Sequence, residues 1–190
     1  TYSSSSLTTD QERRDALNQA LSVIDAAKSA EPTNADVLAM RAFVLSWLSN
    51  PALSGDQSED YRNQAEAEAL AAIQLDSANA LAKAYYAEIL IDQYKLVQAQ
   101  DYIAQARSNG EDLMDVRRIQ AYIYEVLGEY NLAIEWYQKA IEVTPNLTFL
   151  YIRTGVLYRF LQQYPIALEF FAKAVSLNQQ LGIQDPIPYM

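Results

Sequence analysis

The chain has no cysteine and no histidine. Disulfides, thiol chemistry, imidazole bases and nearly every zinc site are excluded with them. Carboxylate sites for hard cations are all the sequence leaves open, and it holds no EF-hand loop, so no metal or other cofactor is expected. Glycine and proline are scarce, 5 and 6 in 190 residues. Long stretches therefore run without a helix breaker. No apolar run approaches the length of a membrane span, so no direct membrane insertion is expected. Basic residues are outnumbered: 14 Lys and Arg stand against 24 Asp and Glu, a net charge of −10. A chain this acidic repels phosphate backbones, so nucleic acid is not the expected partner, whereas basic peptides suit it.

What is present is helix-forming. Hydrophobic residues make up 51% of the chain, enough for a continuous core. The stretch GEYNLAIEWYQKAIEVTP, residues 128–145, sets the pattern. Gly128 suits the left-handed end of one helix. A second helix is predicted from about Tyr130 to Val143, with Ala133 and Ala140 on one face between Ile134, Tyr137 and Ile141. Pro145 stops it. Thirty-four residues later stand Tyr164, Ala167, Phe171 and Ala174, and the same step backwards meets Ala99, Ile103 and Ala106. A further step meets Ala65, Ala69 and Ala72, and an offset copy has Ala20, Ile24 and Ala27. A fixed period of this length, built from helix pairs, means a solenoid.

The period divides the chain. Residues 1–8 read as a polar, disordered leader, and an export signal or anchor before Thr1 would leave no trace here. A capping box, Thr9 to Glu12, opens the second helix of a partial repeat over 9–31, with Ala16, Ala20, Ile24 and Ala27 on its face. Residues 34–78 form a repeat with a long loop at 49–58, and its first helix places Val37, Met40, Val44 and Trp47 in period. Complete repeats follow at 80–110, 112–146 and 147–180. Residues 181–190 read as a linker and the start of a truncated next repeat. On that reading Leu168, Phe171 and Val175 face the missing repeat. Ile183, Ile187, Tyr189 and Met190 would then fold over this stripe or join a second copy in an end-to-end homodimer.

These residues resemble the tetratricopeptide repeat family. The last repeat carries its pattern as Tyr151, Thr154-Gly155, Tyr158, Ala167 and Phe171. The one before has Ala121, Tyr124, Ala133, Tyr137 and Pro145, and the one near Ala80 has Ala87, Leu90, Ala99 and Ala106. Gly155, Ala121 and Ala87 are the small residues that let paired helices approach. Arg41 is aligned with them in the first repeat, where looser packing is expected. The resemblance implies an all-α, right-handed α-α superhelix of antiparallel pairs whose first helices line a concave, peptide-binding groove. The groove positions carried over are Ala84, Tyr85, Glu88 and Asp92, then Arg118, Ile119, Tyr122 and Glu125. The last repeat supplies Phe149, Ile152, Arg153, Val156, Arg159 and Phe160. The lysine–asparagine clamp of the chaperone-tail binders is absent, as is the asparagine ladder of the glycosyltransferase-linked arrays.

No catalytic residue is expected. The carboxylate pairs Glu66 with Glu68 and Asp112 with Asp115 read as solvated helix faces. Tyr124, Tyr137, Tyr158 and Tyr164 fall on core positions. The expected function is a non-catalytic protein–protein interaction scaffold. Arg118, Arg153 and Arg159 beside Tyr122 would receive an acidic segment, and Glu88 and Asp92 a basic residue. The rival is an accessory domain of a larger enzyme, or of a secretion or cell-envelope machine, whose catalytic part lies outside this chain.

Overall fold

The computed structural model describes residues 10–182, and every described element is helical. The leader, Thr9 and the C-terminal Ile183, Ile187, Tyr189 and Met190 lie outside the described residues. The helices are α1 (Asp10–Ala30), α2 (Ala35–Leu48), α3 (Pro51–Ser54), α4 (Ser58–Leu75), α5 (Ala80–Asp92) and α6 (Leu96–Gly110). They continue with α7 (Met114–Val126), α8 (Tyr130–Val143), α9 (Thr148–Phe160) and α10 (Tyr164–Leu181). Helices α1–α6 belong to one compact unit that ends at Glu111. Helices α7–α10 belong to a second that begins at Asp112.

In the first unit α2 packs on α4 and α5 on α6, with α5 also seated on α2 and α4. Asparagine side chains start the first helix of each pair. Asn34 Oδ1 accepts from the Asp36 and Val37 amides, and Asn79 Oδ1 from the Ala82 amide at 2.8 Å. Each cap satisfies amides that have no partner inside the helix. Eight residues past each cap stands a fully buried alanine, Ala42 and Ala87, and the second helices answer with buried Ala65 and Ala72, and Ala99 and Ala106. Small side chains at these levels let the two backbones close up.

The small residue of the first repeat is thus Ala42, one place after Arg41, which the repeat pattern aligns there. Arg41 sits on another face. Its Nε donates to Asp25 of α1 at 2.7 Å and its Nη1 to Glu68 of α4 at 2.8 Å, while Lys28 of α1 also reaches Glu68. In place of loose packing there is an ionic cluster joining three helices. Helix α1 has no fully buried residue. Its half-buried side is Leu17, Ala20, Leu21 and Ile24, and Ala16 and Ala27 are exposed.

Two further expectations change. The segment 49–58 is not an open loop: Asn50 caps the single turn α3, and a 3-10 turn, Gly55–Gln57, leads into α4. Leu53 and Ser54 are buried, and the Ser54 hydroxyl donates to the Leu48 carbonyl at the end of α2. The core side of α2 is Leu38, Ala39, Ala42, Leu45 and Leu48, with Val44. Met40 and Trp47 point away from it.

In the second unit α7 packs on α8, α9 on α10, and α8 on α9. Ala121, Ala133, Ile134, Trp136, Tyr137, Ala140, Leu150 and Leu157 form its main core. Tyr124 and Tyr158 pack against that core, whereas Tyr164 is exposed at the first turn of α10, contrary to its expected core role. Gly155 is a true close contact: a Cβ built on it would lie 2.7 Å from Phe171 Cε1. Phe171 and Val175 are accordingly half-buried, and Leu168 of the same stripe is 67% exposed.

One device recurs at the turn inside three of the helix pairs. Tyr94, Gly128 and Gln162, spaced 34 residues apart, all have left-handed backbones, with φ of 58°, 79° and 60°. The next amide in each case, on Lys95, Glu129 and Gln163, donates to the carbonyl of Leu90, Tyr124 and Tyr158 at 2.9 Å. This six-residue closure satisfies the last carbonyls of α5, α7 and α9 and reverses the chain.

Candidate functional site

The first helix of every pair presents a side that does not face its own second helix. On the first unit this side holds a run of contacting aromatic and sulfur side chains. The Phe43 ring stacks on Tyr85 with centroids 4.7 Å apart and meets Trp47 edge-on at 6.1 Å. The Tyr85 hydroxyl donates to Met40 Sδ at 3.9 Å. Tyr85 is the floor, only 2% exposed, while Met40 is 39% and Trp47 46% exposed. On α2 these residues are spaced three and four apart, so they form one stripe. Ala84 is fully buried beside this floor, Glu88 is buried one turn along α5, and Asp92 is exposed at the helix end.

Met40, Phe43 and Trp47 were missed as surface residues. Helix α2 is apolar on most of its circumference, so periodicity alone does not separate its core side from its outer side. The signal that was available is the asparagine cap. Aligning Asn34 with Asn79 places Met40 and Phe43 at the positions of Tyr85 and Glu88.

On the second unit the predicted residues of α7 and α9 are brought together in part. Glu125 of α7 accepts a hydrogen bond from Tyr137 of α8 at 3.0 Å and also pairs with Arg153 of α9. The Arg153 guanidinium lies 5.9 Å from the centroid of the Tyr122 ring, within cation–π range. Arg118 is buried and its Nε donates to Asp115 at 2.9 Å. Of the three arginines only Arg159 is exposed, and it lies over Phe160, whose ring stacks on Tyr130. Phe149 and Val156 are half-buried and pack into the core clusters, and Ile119 and Ile152 are buried. The guanidinium groups of Arg118 and Arg153 are thus each held against a carboxylate of their own unit. Burial first, and the Glu125 carboxylate second, push the Tyr137 phenol well above its ordinary range. Tyr137 therefore stays a proton donor to Glu125 at any physiological pH.

Among the described residues no group of His, Cys, Asp and Glu is arranged to hold a metal ion. No helix among them is long and apolar enough to cross a membrane.

A family model described as tetratricopeptide repeat matches residues 119–147, which span the second half of α7, all of α8 and the turn into α9. The fold is that of tetratricopeptide repeat proteins. Solved structures agree along most of the chain. The crystal structure of MamA is 19% identical over 90% of this chain and 95% of that one, with a TM-score of 0.59. That of YrrB, titled a TPR protein with an unusual peptide-binding site, is 17% identical over 87% and 79%, with a TM-score of 0.55. A human IFIT1 dimer with PPP-AAAA is 21% identical, covers 85% of this chain and 38% of that one, and has a TM-score of 0.69. Comparison with curated proteins gives no match. At these identities the likeness is one of fold.

Proposed function

We propose that this tetratricopeptide repeat chain is a non-catalytic scaffold that holds a peptide or partner segment on the face of its first helices. The observation that carries the reading is the stacked, partly exposed stripe of Met40, Phe43 and Trp47 over Tyr85. Large aromatic side chains fixed by their neighbours lose little entropy on binding and dominate recognition surfaces. Glu88 and Asp92 belong to the same face of the first unit. On the second unit the corresponding set is Arg118, Tyr122, Glu125, Phe149, Arg153, Val156 and Arg159.

A peptide suits the charge better than a nucleic acid does. The IFIT1 structure carries PPP-AAAA, but this chain bears a net charge of −10, which opposes a phosphate backbone. YrrB carries a peptide-binding site on the same fold.

The test is a selection from a random peptide display library on the whole chain, followed by binding measurements on two variants. One is Phe43→Ala with Trp47→Ala; the other is Arg153→Glu with Arg159→Glu. The expected result is a selected peptide that loses at least tenfold in affinity to one variant while both keep their helix content by circular dichroism. Selected peptides that bind both variants as tightly as the parent would refute the first-helix site.

A further inference from the structure

We infer that the outer side of α10 seats an amphipathic helix of a partner protein, as the outer side of α8 seats α9, and that this helix carries Asp or Glu within its apolar stripe. The seat is on a second helix, so the inference goes beyond the first-helix reading.

The seat on α8 is occupied within the chain. Tyr130, Ile134, Tyr137 and Ile141 follow one another at spacings of three and four and form one stripe. Helix α9 covers it. The Phe160 ring stacks on Tyr130 with centroids 5.6 Å apart. Leu150 and Leu157 share a core cluster with Ile134 and Tyr137, and Ile141 packs against the cluster that holds Tyr151 and Ile152. Arg153 pairs with Glu125 of α7. Helix α9 thus brings Leu150, Arg153, Leu157 and Phe160, at i, i+3, i+7 and i+10.

Thirty-four residues on, α10 repeats the stripe as Tyr164, Leu168, Phe171 and Val175. It is the last helix among the described residues. Leu168 is 67% and Tyr164 57% exposed, whereas Ile134 is 5% exposed under α9. The repeat does not itself require large apolar residues at all four places. Helix α4 has Arg62 and Glu66 at two of them, and α6 has Gln100 and Arg107. The stripe of α10 matches that of α8, which is a covered one, and exposed apolar patches of this kind mark interaction surfaces.

The geometry narrows the occupant. Tyr164 to Val175 spans about 17 Å of helix, or about three turns. Pro186 and Pro188 bar residues 183–190 from supplying a helix of that length. A folded second copy keeps each first helix in its own pair, α2 on α4, α5 on α6, α7 on α8 and α9 on α10. The seat therefore falls to a helix of another protein. Its charge follows from the same register. Arg159 stands 34 residues after Glu125 and is exposed. Where the α8 seat offers a carboxylate to Arg153, the α10 seat offers a guanidinium, so the residue in the place of Arg153 must be acidic. The partner helix carries large apolar residues at i, i+7 and i+10, the last aromatic to stack on Tyr164, with Asp or Glu at i+3.

Two synthetic peptides of residues 146–161 are the probes. One keeps the α9 sequence and the other carries Arg153→Glu. A staple between positions 151 and 155 holds each helical on the side away from Leu150, Leu157 and Phe160. It also stops the peptide from replacing α9, because Gly155 has no room for added atoms against Phe171. Each peptide is titrated into the isotope-labelled full chain. The expected result is saturable binding with amide shifts on α10 around Tyr164 and Leu168, the Arg153→Glu peptide being about three- to tenfold the tighter at low salt. Arg159→Glu in the chain should reverse that preference. Leu168→Glu should weaken both peptides by about tenfold or more. Both residues are exposed, so helix content should not change. No binding, or binding that ignores Leu168→Glu, would overturn the seat. Equal affinity of the two peptides would overturn the acidic requirement. Dimerisation of the chain alone that Leu168→Glu abolishes would give the face to a second copy. A tenfold gain in peptide affinity on Ile187→Asp would give it to residues 183–190. Either result overturns the inference, and the first-helix face is tested separately by the display selection.

Discussion

The left-handed turns allow one substitution to be tried in both directions. Gly128 adopts φ 79° and a Cβ added there would meet nothing within 4 Å. Gly128→Ala therefore adds no clash with other parts of the chain, and only the backbone cost remains. That cost is about 1–2 kcal/mol for a residue with a Cβ, offset by roughly 0.4–1 kcal/mol because alanine also restricts the unfolded chain. The net expectation is a loss of about 0.5–1 kcal/mol. Gln162 occupies the equivalent place 34 residues on with φ 60°, so Gln162→Gly should gain a similar amount. For a chain of this size each kcal/mol moves the melting temperature by about 2–4 °C. Thermal melts followed by circular dichroism at 222 nm, with urea titrations to check that the slopes match, would read both. Opposite shifts of comparable size are expected. Destabilisation by Gln162→Gly, or a neutral Gly128→Ala, would show that these turns are not held by the backbone geometry described.

Other substitutions test the packing. Gly155→Leu should cost about 1–3 kcal/mol, because its side chain must displace the Phe171 ring; Ala42→Leu should behave alike, and a harmless Ala42→Leu would restore Arg41 as the small-site residue. A double-mutant cycle of Arg41→Leu and Glu68→Gln should show a coupling above about 0.5 kcal/mol, and additivity would mean the cluster under α1 contributes nothing. Tyr137 is expected to sharpen alkaline unfolding. Its folded-state pKa is raised above the ordinary value near 10, so its contribution is intact below that pH and is lost as pH climbs beyond it. Tyr137→Phe should lose about 1 kcal/mol at neutral pH with the bond to Glu125, and should flatten the fall above pH 10; an unchanged alkaline limb would contradict the buried proton.

The helix pairs were legible because alanines at fixed spacing leave few alternatives. Ala65, Ala72, Ala99, Ala106, Ala133, Ala140 and Ala174 are fully buried where the 34-residue step places them. The small site of the first repeat falls one residue away from its aligned place because the insertion at 49–58 interrupts the step, so a register taken from the second helix does not hold across it. The outer side of α2 was hidden by its composition, since Met40 and Trp47 are as apolar as the core they do not join. Tyr94 and Gln162 gave no sign of a left-handed backbone, which only glycine advertises; their distance from Gly128 was the available clue. The pairing of Arg153 with Glu125, 28 residues apart, depends on how α9 meets α7. Sequence spacing therefore counted Arg118 and Arg153 among the groove's positive charges without the carboxylates that hold them.

The claim at the centre is that ligand binds the first helices. The amide spectrum of the isotope-labelled full chain, recorded with a saturating amount of a selected peptide, tests it most directly. Shifts should concentrate on α2 and α5, around Met40, Phe43, Trp47 and Tyr85, or on the matching side of α7 and α9. Shifts concentrated on the second helices α4, α6, α8 and α10 would contradict it.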